Sequence, residues 1–241
     1  MLIVKNIVSH LRMNLKSFIP ITIFAITALA LLTATKAIGP AHTIIWKLQN
    51  PNKVGDYRPV ILGSPVIVND TSGTALSFNG VNDGLIIPKI PIEGWSRFTI
   101  EVLFKPAGDG PAAPRFIHFQ DKESNRGTLE VRITPKGRWY LDTFLKNGNT
   151  DKANSHLTLI DSTKLHPADQ WYWVALVYDD KKMSSYVNSK KELEGIVDFP
   201  AMTNGDISIG VRLNKVNWFK GLIKEIRFHP AALDPLAMQH L

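Results

Sequence analysis

Between residues 42 and 230 the chain alternates apolar and polar positions in short runs, and these runs are punctuated by Gly, Pro, Asn and Asp. The runs are "HTIIWKL", "ALSFNG", "GLIIP", "RFTIEVLFKP", "RFIHFQ", "TLEVRITP", "GRWYLDTFL", "WYWVALVYDD", "MSSYVNS", "ISIGVRL" and "GLIKEIRFHP". A period of two places successive side chains on opposite faces of a strand, and many short strands separated by turn residues define an all-β sandwich or barrel. No segment before the C-terminus holds helical periodicity over three turns; only "LDPLAMQHL" (233–241) is compatible with a short terminal helix.

The run from Trp171 is apolar on both faces. Trp171, Trp173, Ala175 and Val177 point one way, and Tyr172, Val174, Leu176 and Tyr178 the other, so this strand belongs in the middle of the structure. "DDKK" (179–182) then supplies a turn, "MSSYVN" returns antiparallel, and Asn188 suits the left-handed backbone of the next turn. The hairpin is structural and carries no nucleophile or acid pair.

The 241 residues allow one or two domains, and a single sandwich core is the default at this size. The formal charge of +7 suggests a polyanion partner until it is located. Lys5, Arg12, Lys16 and Lys36 precede residue 38, where no acid occurs, and the remainder holds 24 basic against 21 acidic residues. Nucleic-acid binding needs a clustered basic face and is excluded as a function class.

Residues 13–37, "MNLKSFIPITIFAITALALLTATKA", have a basic start, an uncharged apolar stretch over 18–34, and small residues around Ala34, Thr35 and Ala37. This is the layout of a secretory signal cleaved near Ala37, with Met13 as a candidate start. The alternative is an uncleaved membrane anchor, the stretch sitting at the lower limit of about 17–25 residues for a spanning helix. Either way residues 38–241 form one exported domain, secreted or anchored outside the cytoplasm. The chain has no cysteine, so stability comes from the core alone, and thiol catalysis and thiolate metal sites are excluded.

"TALSFNGVNDGLIIP" (74–88), "FTIEVLFKP" (98–106), "WYWVALVYDDKKMSSYVNSKKE" (171–192), "ISIG" (207–210) and "FKGLIKEIRFHPAAL" (219–233) occur in the order found in bacterial laminin-G-like, concanavalin A-like domains. The chain resembles that family over roughly residues 42–235, which implies a two-sheet antiparallel jelly roll. It departs from the pattern at Asn79, where the family has Asp; at Asp180 and Ser189, where it has turn glycines; and at Lys224, where an Asp precedes Glu225. The resemblance implies calcium near the first and last strands in many members. Here Asp83 and Glu225 are the remaining candidate ligands, and the lost carboxylates count against an ion that needs several hard oxygens.

Strand parity selects the candidate binding residues, because two-layer jelly rolls usually bind ligands on the concave face of one sheet. Phe98, Ile100, Val102 and Phe104 form a core set and leave Glu101 outside. His118 shares a face with Phe116, Glu130 with Arg132, Asp142 with Tyr140, and Arg212 with Ser208 and Asn214. If these strands are neighbours, Glu101, His118, Glu130, Arg132, Asp142 and Arg212 form one polar patch, with Tyr140, Trp139 and Trp218 close in sequence as sugar-stacking aromatics. The competing reading is a solvated face laced with cross-strand ion pairs.

Catalysis has weaker support. Glucanases of this fold place acids at alternate positions on one strand, and the nearest run, "ELE" (192–194), lies in a polar stretch after a hairpin. "FIH" (116–118), "LEVR" (129–132) and "WFKG" (218–221) resemble polysaccharide-lyase strands, which would make Arg132 the carboxylate binder and His118 the base. Phe116 replaces that pattern's Gln, and "LIKE" (222–225) its Tyr and Gln. His166 and His229 precede prolines and read as loop residues, and no spacing suggests zinc. The expectation is an exported, non-catalytic module that binds a glycan or cell-surface partner through this patch on a concave sheet face or through the loops at one rim. The alternatives are a lyase on acidic glycans and a structural surface module.

Overall fold

The computed structural model describes residues 42–70, 73–148 and 150–241. The segment 1–37, expected to be a signal or anchor, lies outside the described residues. The strands are β1 (Ile44–Lys47), β2 (Val60–Leu62), β3 (Val66–Asp70), β4 (Gly73–Asn79), β5 (Gly84–Ile87), β6 (Phe98–Pro106), β7 (Arg115–Asp121) and β8 (Arg126–Ile133). They continue as β9 (Arg138–Lys146), β10 (His156–Ile160), β11 (His166–Pro167), β12 (Tyr172–Asp179), β13 (Lys182–Val187), β14 (Lys190–Ile196), β15 (Gly205–Ile209) and β16 (Lys220–His229). They form two antiparallel sheets of eight strands. One runs β14-β13-β12-β6-β16-β4-β3 with β1 on β16, and the other runs β10-β9-β8-β7-β15-β5-β2 with β11 on β9. The alternating runs predict a sandwich or barrel, and the structure is the two-sheet antiparallel jelly roll that the family resemblance implies.

The core lies between the sheets. Phe98, Ile100, Val102 and Phe104 from β6 and Tyr172, Val174, Leu176 and Tyr178 from β12 meet Phe116, Phe119, Leu129, Val131, Trp139 and Leu141 from the second sheet. Phe104 stacks on Phe116 at 4.6 Å and meets Trp139 edge-on at 5.2 Å. β12 is central, paired with β6 on one side and β13 on the other. Its hairpin turns at Asp180 and Lys181, with φ of 42° and 71°, and the next turns at Asn188 and Ser189, with φ of 46° and 63°. Two-residue turns of this hand match the twist of the flanking strands.

The first sheet's outer face is apolar around Ala175, Val177 and Tyr186, and the C-terminal segment covers it by seating Met238 there. Instead of a terminal helix, only a 3-10 turn forms at Pro235–Ala237, capped by Asp234 Oδ1, which accepts the Leu236 N–H. Thr99 ties the segment down by donating to the Ala231 carbonyl and accepting the Leu233 N–H. Met238→Ala should therefore cost about 2 kcal/mol, read as a lower denaturation midpoint at unchanged m-value. A change within about 0.5 kcal/mol, the scale of an exposed substitution, would show that the segment does not stabilise the sheet.

Candidate functional site

The second sheet turns polar side chains outward. In β8, Leu129 and Val131 enter the core while Arg126, Thr128, Glu130 and Arg132 alternate with them; in β9, Trp139, Leu141 and Leu145 are inward and Tyr140, Asp142 and Phe144 outward. Gly127 is an inward position within β8. An added Cβ there would lie 2.2 Å from the Phe119 ring and 2.7 Å from Leu145. β7 departs from simple alternation. A bulge between Arg115 and Ile117 lets Phe116 and Ile117 both enter the core and returns Arg115 to the same face as His118. His118 does not share a face with Phe116, as period-two reading expects.

Register then aligns these side chains in rungs. Ser208, His118, Thr128, Phe144 and Thr158 follow one another across β15, β7, β8, β9 and β10, and Arg115, Glu130 and Asp142 form the next rung. Arg212 arrives from the loop after β15, which ends at Ile209 rather than continuing through "GVRL". That loop leaves the strand at Gly210, where φ is 79° and a Cβ would lie 2.4 Å from the Phe78 ring.

Together these groups line a groove of about 310 Å³ that holds Arg115, His118, Arg126, Thr128, Glu130, Arg132, Asp142, Phe144, Thr158 and Arg212. A second hollow of about 410 Å³ adjoins it, with His118 and Arg212 common to both and Gln120, Asp206 and Asn214 on its walls.

Glu130 and Asp142 are buried at the groove floor. Asp142 Oδ2 accepts from Arg132 Nε at 2.7 Å and lies 2.5 Å from Nη2. Glu130 Oε1 accepts from Thr128 Oγ1 at 2.7 Å and lies 2.9 Å from Arg115 Nε, while its Oε2 is 3.7 Å from Arg132 Nη2. Burial raises the Glu130 pKa and the Asp142 charge adds to this; the Thr128 bond and the charges of Arg115 and Arg132 pull the other way without cancelling it.

His118 is 1% exposed. Its Nδ1 accepts the Leu213 N–H at 3.3 Å. A backbone N–H can only donate, so Nδ1 is unprotonated and the neutral ring carries its hydrogen on Nε2. Burial first, then the charges of Arg212, Arg115 and Arg126, lower the His118 pKa to about 3. The ring is uncharged at ordinary pH.

Arg126 lies over the Phe144 ring at 5.7 Å. Among the described residues neither Arg126 nor Arg212 forms an ion pair, whereas Arg115 and Arg132 are both engaged with the floor carboxylates.

The groove thus assembles His118, Glu130, Arg132, Asp142 and Arg212 from the sequence-based patch, and corrects the rest of it. Glu101 is on β6, in the other sheet, beneath the C-terminal segment: Oε2 pairs with His229 Nε2 at 2.8 Å and Oε1 accepts the Gln239 N–H at 2.7 Å. Trp139 is a core residue whose Nε1 donates to the Pro167 carbonyl. Tyr140 is half-buried one rung beyond the groove, opposite Arg132. Trp218 packs its ring over Gly84 of β5 and does not line the groove.

His166 and His229 are strand residues rather than loop residues. His166 bonds Glu192 at 2.7 Å against Trp139, and His229 also contacts Thr43 Oγ1 through Nδ1 at 3.0 Å. "ELE" lies on edge strand β14. Sequence reasoning did not find Arg115, Arg126, Thr128, Phe144 or Thr158.

The calcium candidates do not fit a cation. Asp83 Oδ1 accepts the Ser64 N–H at 2.8 Å and Oδ2 the Asn79 N–H at 3.1 Å, so its carboxylate fastens a turn. Glu225 is paired with Arg227. Among the described residues no three His, Asp or Glu side chains cluster as metal ligands.

Two antiparallel sheets of this order, with a polar groove on one outer face, make a jelly-roll sandwich. The chain belongs to the Laminin_G_3 family of the concanavalin A-like lectin/glucanases superfamily, whose pattern matches residues 78–237. No relative is found among the curated proteins. Among solved structures the chain is similar to domain 4 of AbnA, an extracellular arabinanase of family GH43 from Geobacillus stearothermophilus, in complex with arabinotriose. Identity is 22%, covering 80% of this chain and 93% of that one, with a TM-score of 0.58. It is also similar to the botulinum neurotoxin serotype D binding domain, at 12% identity over 81% of this chain and 50% of that one, with a TM-score of 0.57. The ligand-binding domain of that serotype in complex with N-acetylneuraminic acid gives 12% identity, 81% and 49% coverage and a TM-score of 0.56. The chain spans about half the length of these neurotoxin domains, and likeness at these identities shows the fold.

Proposed function

We propose that this protein is a non-catalytic glycan-binding module and that the groove on the second sheet is its binding site. The carrying observation is the unused hydrogen-bonding capacity at the groove floor, where His118 Nε2, Glu130 Oε2 and Asp142 Oδ1 have no hydrogen-bond partner among the described residues. Buried polar atoms are costly without partners. A donor interleaved with acceptors suits sugar hydroxyls, each of which can donate and accept at once. The solved relatives bound to arabinotriose and N-acetylneuraminic acid support a sugar as ligand class. The basic, apolar pattern of residues 1–37 supports export, which would place the module among extracellular glycans.

The geometry argues against catalysis. A lyase base must accept a proton, but His118 presents a protonated Nε2 and its other nitrogen is occupied by Leu213. A glycosidase needs two carboxylates flanking one bond, but Glu130 and Asp142 are cross-strand partners that converge on Arg132.

The test uses Thr158, an exposed groove residue on an edge strand, where a large side chain fills the groove without disturbing the core. The full-length chain should bind a subset of an oligosaccharide array. Thr158→Trp should abolish that binding, by roughly tenfold or more, at an unchanged melting temperature. Absence of any array binding, or equal binding by the variant, refutes the reading.

A further inference from the structure

The groove contains four guanidinium groups and two carboxylates. Arg115 and Arg132 answer Glu130 and Asp142, which leaves the charges of Arg126 and Arg212 unmatched in a cavity that both line with His118. Phe144 holds Arg126 from one side. Arg212 is carried by a loop braced by the Arg212 N–H to the Val216 carbonyl at 3.1 Å and the Lys215 N–H to the Arg212 carbonyl at 2.8 Å. Like charges gathered around a buried, uncharged imidazole repel one another, and an anion placed among them relieves that repulsion.

We propose that the glycan is acidic, and that its carboxylate or sulfate group is held between Arg126 and Arg212 with the unpartnered His118 Nε2–H as a third donor. This rests on the groove being the glycan site. Guanidinium forks match planar carboxylates and sulfate-type oxygens, and such charge-assisted bonds are stronger than neutral ones. The floor carboxylates orient the neighbouring hydroxyls. The adjoining hollow, entered past His118 and Arg212, accommodates a second sugar of the chain.

The test is a calorimetric titration of the full-length chain with four probes. These are an oligogalacturonate, the same oligomer after carboxyl reduction, a sulfated galactan oligomer and polyglutamate. The oligogalacturonate, the sulfated oligomer or both should bind, weaken as salt rises, and exceed the reduced oligomer by roughly 10- to 100-fold. The preferred arm identifies the anionic group. Arg212→Gln and Arg126→Gln should each lower that affinity roughly tenfold or more, with no loss of stability, because among the described residues neither arginine has an ion-pair partner to orphan.

Equal affinity for the acidic and reduced oligomers overturns the inference while leaving the glycan reading intact. Failure of all three sugars, together with a silent array, overturns both. Acidic binding unchanged in the two arginine variants, or polyglutamate binding tighter than any sugar, overturns the inference by placing the anion elsewhere or in a peptide.

Discussion

Replacing Arg132 with alanine is expected to destabilise the fold by about 3–5 kcal/mol, although the side chain lies in a groove and is only partly buried. Asp142 is 1% exposed and Glu130 3% exposed. Arg132 is the only cation within ion-pair distance of Asp142 among the described residues, and it also approaches Glu130. Removing it leaves a buried carboxylate without a counter-charge, which costs far more than a surface pair gains. Arg132→Lys should recover only part of the loss, since an ammonium cannot reproduce contacts made by both Nε and Nη2. Denaturant unfolding of Arg132→Ala, Asp142→Leu and the double variant tests the account. The double variant should be more stable than the sum of the two single losses implies. Additive losses would sink it. Arg212→Gln, in the same groove, should leave stability unchanged, so the two arginines separate into one that builds the floor and one that is free to face the proposed ligand.

That separation was not legible in the sequence, whereas much of the scaffold was. Alternation in β6, β8, β9 and β12 fixed which residues enter the core, and it correctly placed Glu130, Arg132 and Asp142 on an outer face. Short-range turn chemistry located the β12-β13 hairpin and the turn that follows β13. The weakly patterned strands were missed: β2, β3, β10 and β14 are edges or next to edges, largely exposed, and carry little apolar alternation. Thr158 was lost with β10.

The other misses have specific causes. Arg115 was hidden by the β7 bulge, which shifts parity by one residue. Arg126 was hidden because Gly127 reads as a turn, although it lies within the strand where Phe119 and Leu145 exclude a side chain. Glu101 shows a further limit. Its parity was right, and it does leave the core set, but local periodicity cannot say which sheet a strand joins or what covers its outer face. Only the folded chain brings Gln239 and His229 onto that carboxylate. Likewise, nothing in the sequence distance between Glu130 and Arg132 reveals that Asp142 is the tighter partner.

The fold should lose stability as pH falls from about 6.5 toward 3, and His118 should account for much of that loss. The unfolded chain takes up a proton on His118 near its ordinary value of 6.5, whereas the folded ring stays neutral until about 3. Within that window the unfolded state binds the extra proton, so acid favours unfolding; above 6.5 the contribution to stability is complete. The slope from one such group is at most about 1.4 kcal/mol per pH unit. Glu130 acts in the opposite sense. Its raised pKa makes the folded state the better proton binder above 4.5, so its contribution shrinks as pH rises through the carboxylate range. Glu130 titrates in the wild type and in a His118 variant alike, so the slope of His118 is read as the difference between the two between about pH 5 and 6.5. His118→Asn retains an acceptor for the Leu213 N–H but cannot titrate, and its unfolding free energy should vary less with pH in that interval by close to one proton. Identical slopes for the two proteins would mean that the imidazole is not held neutral. A neutral ring also keeps Nε2–H available as a donor from pH 5 to 8. An acidic sugar should then bind with no tightening attributable to His118 protonation over that range, its charge being met by Arg126 and Arg212.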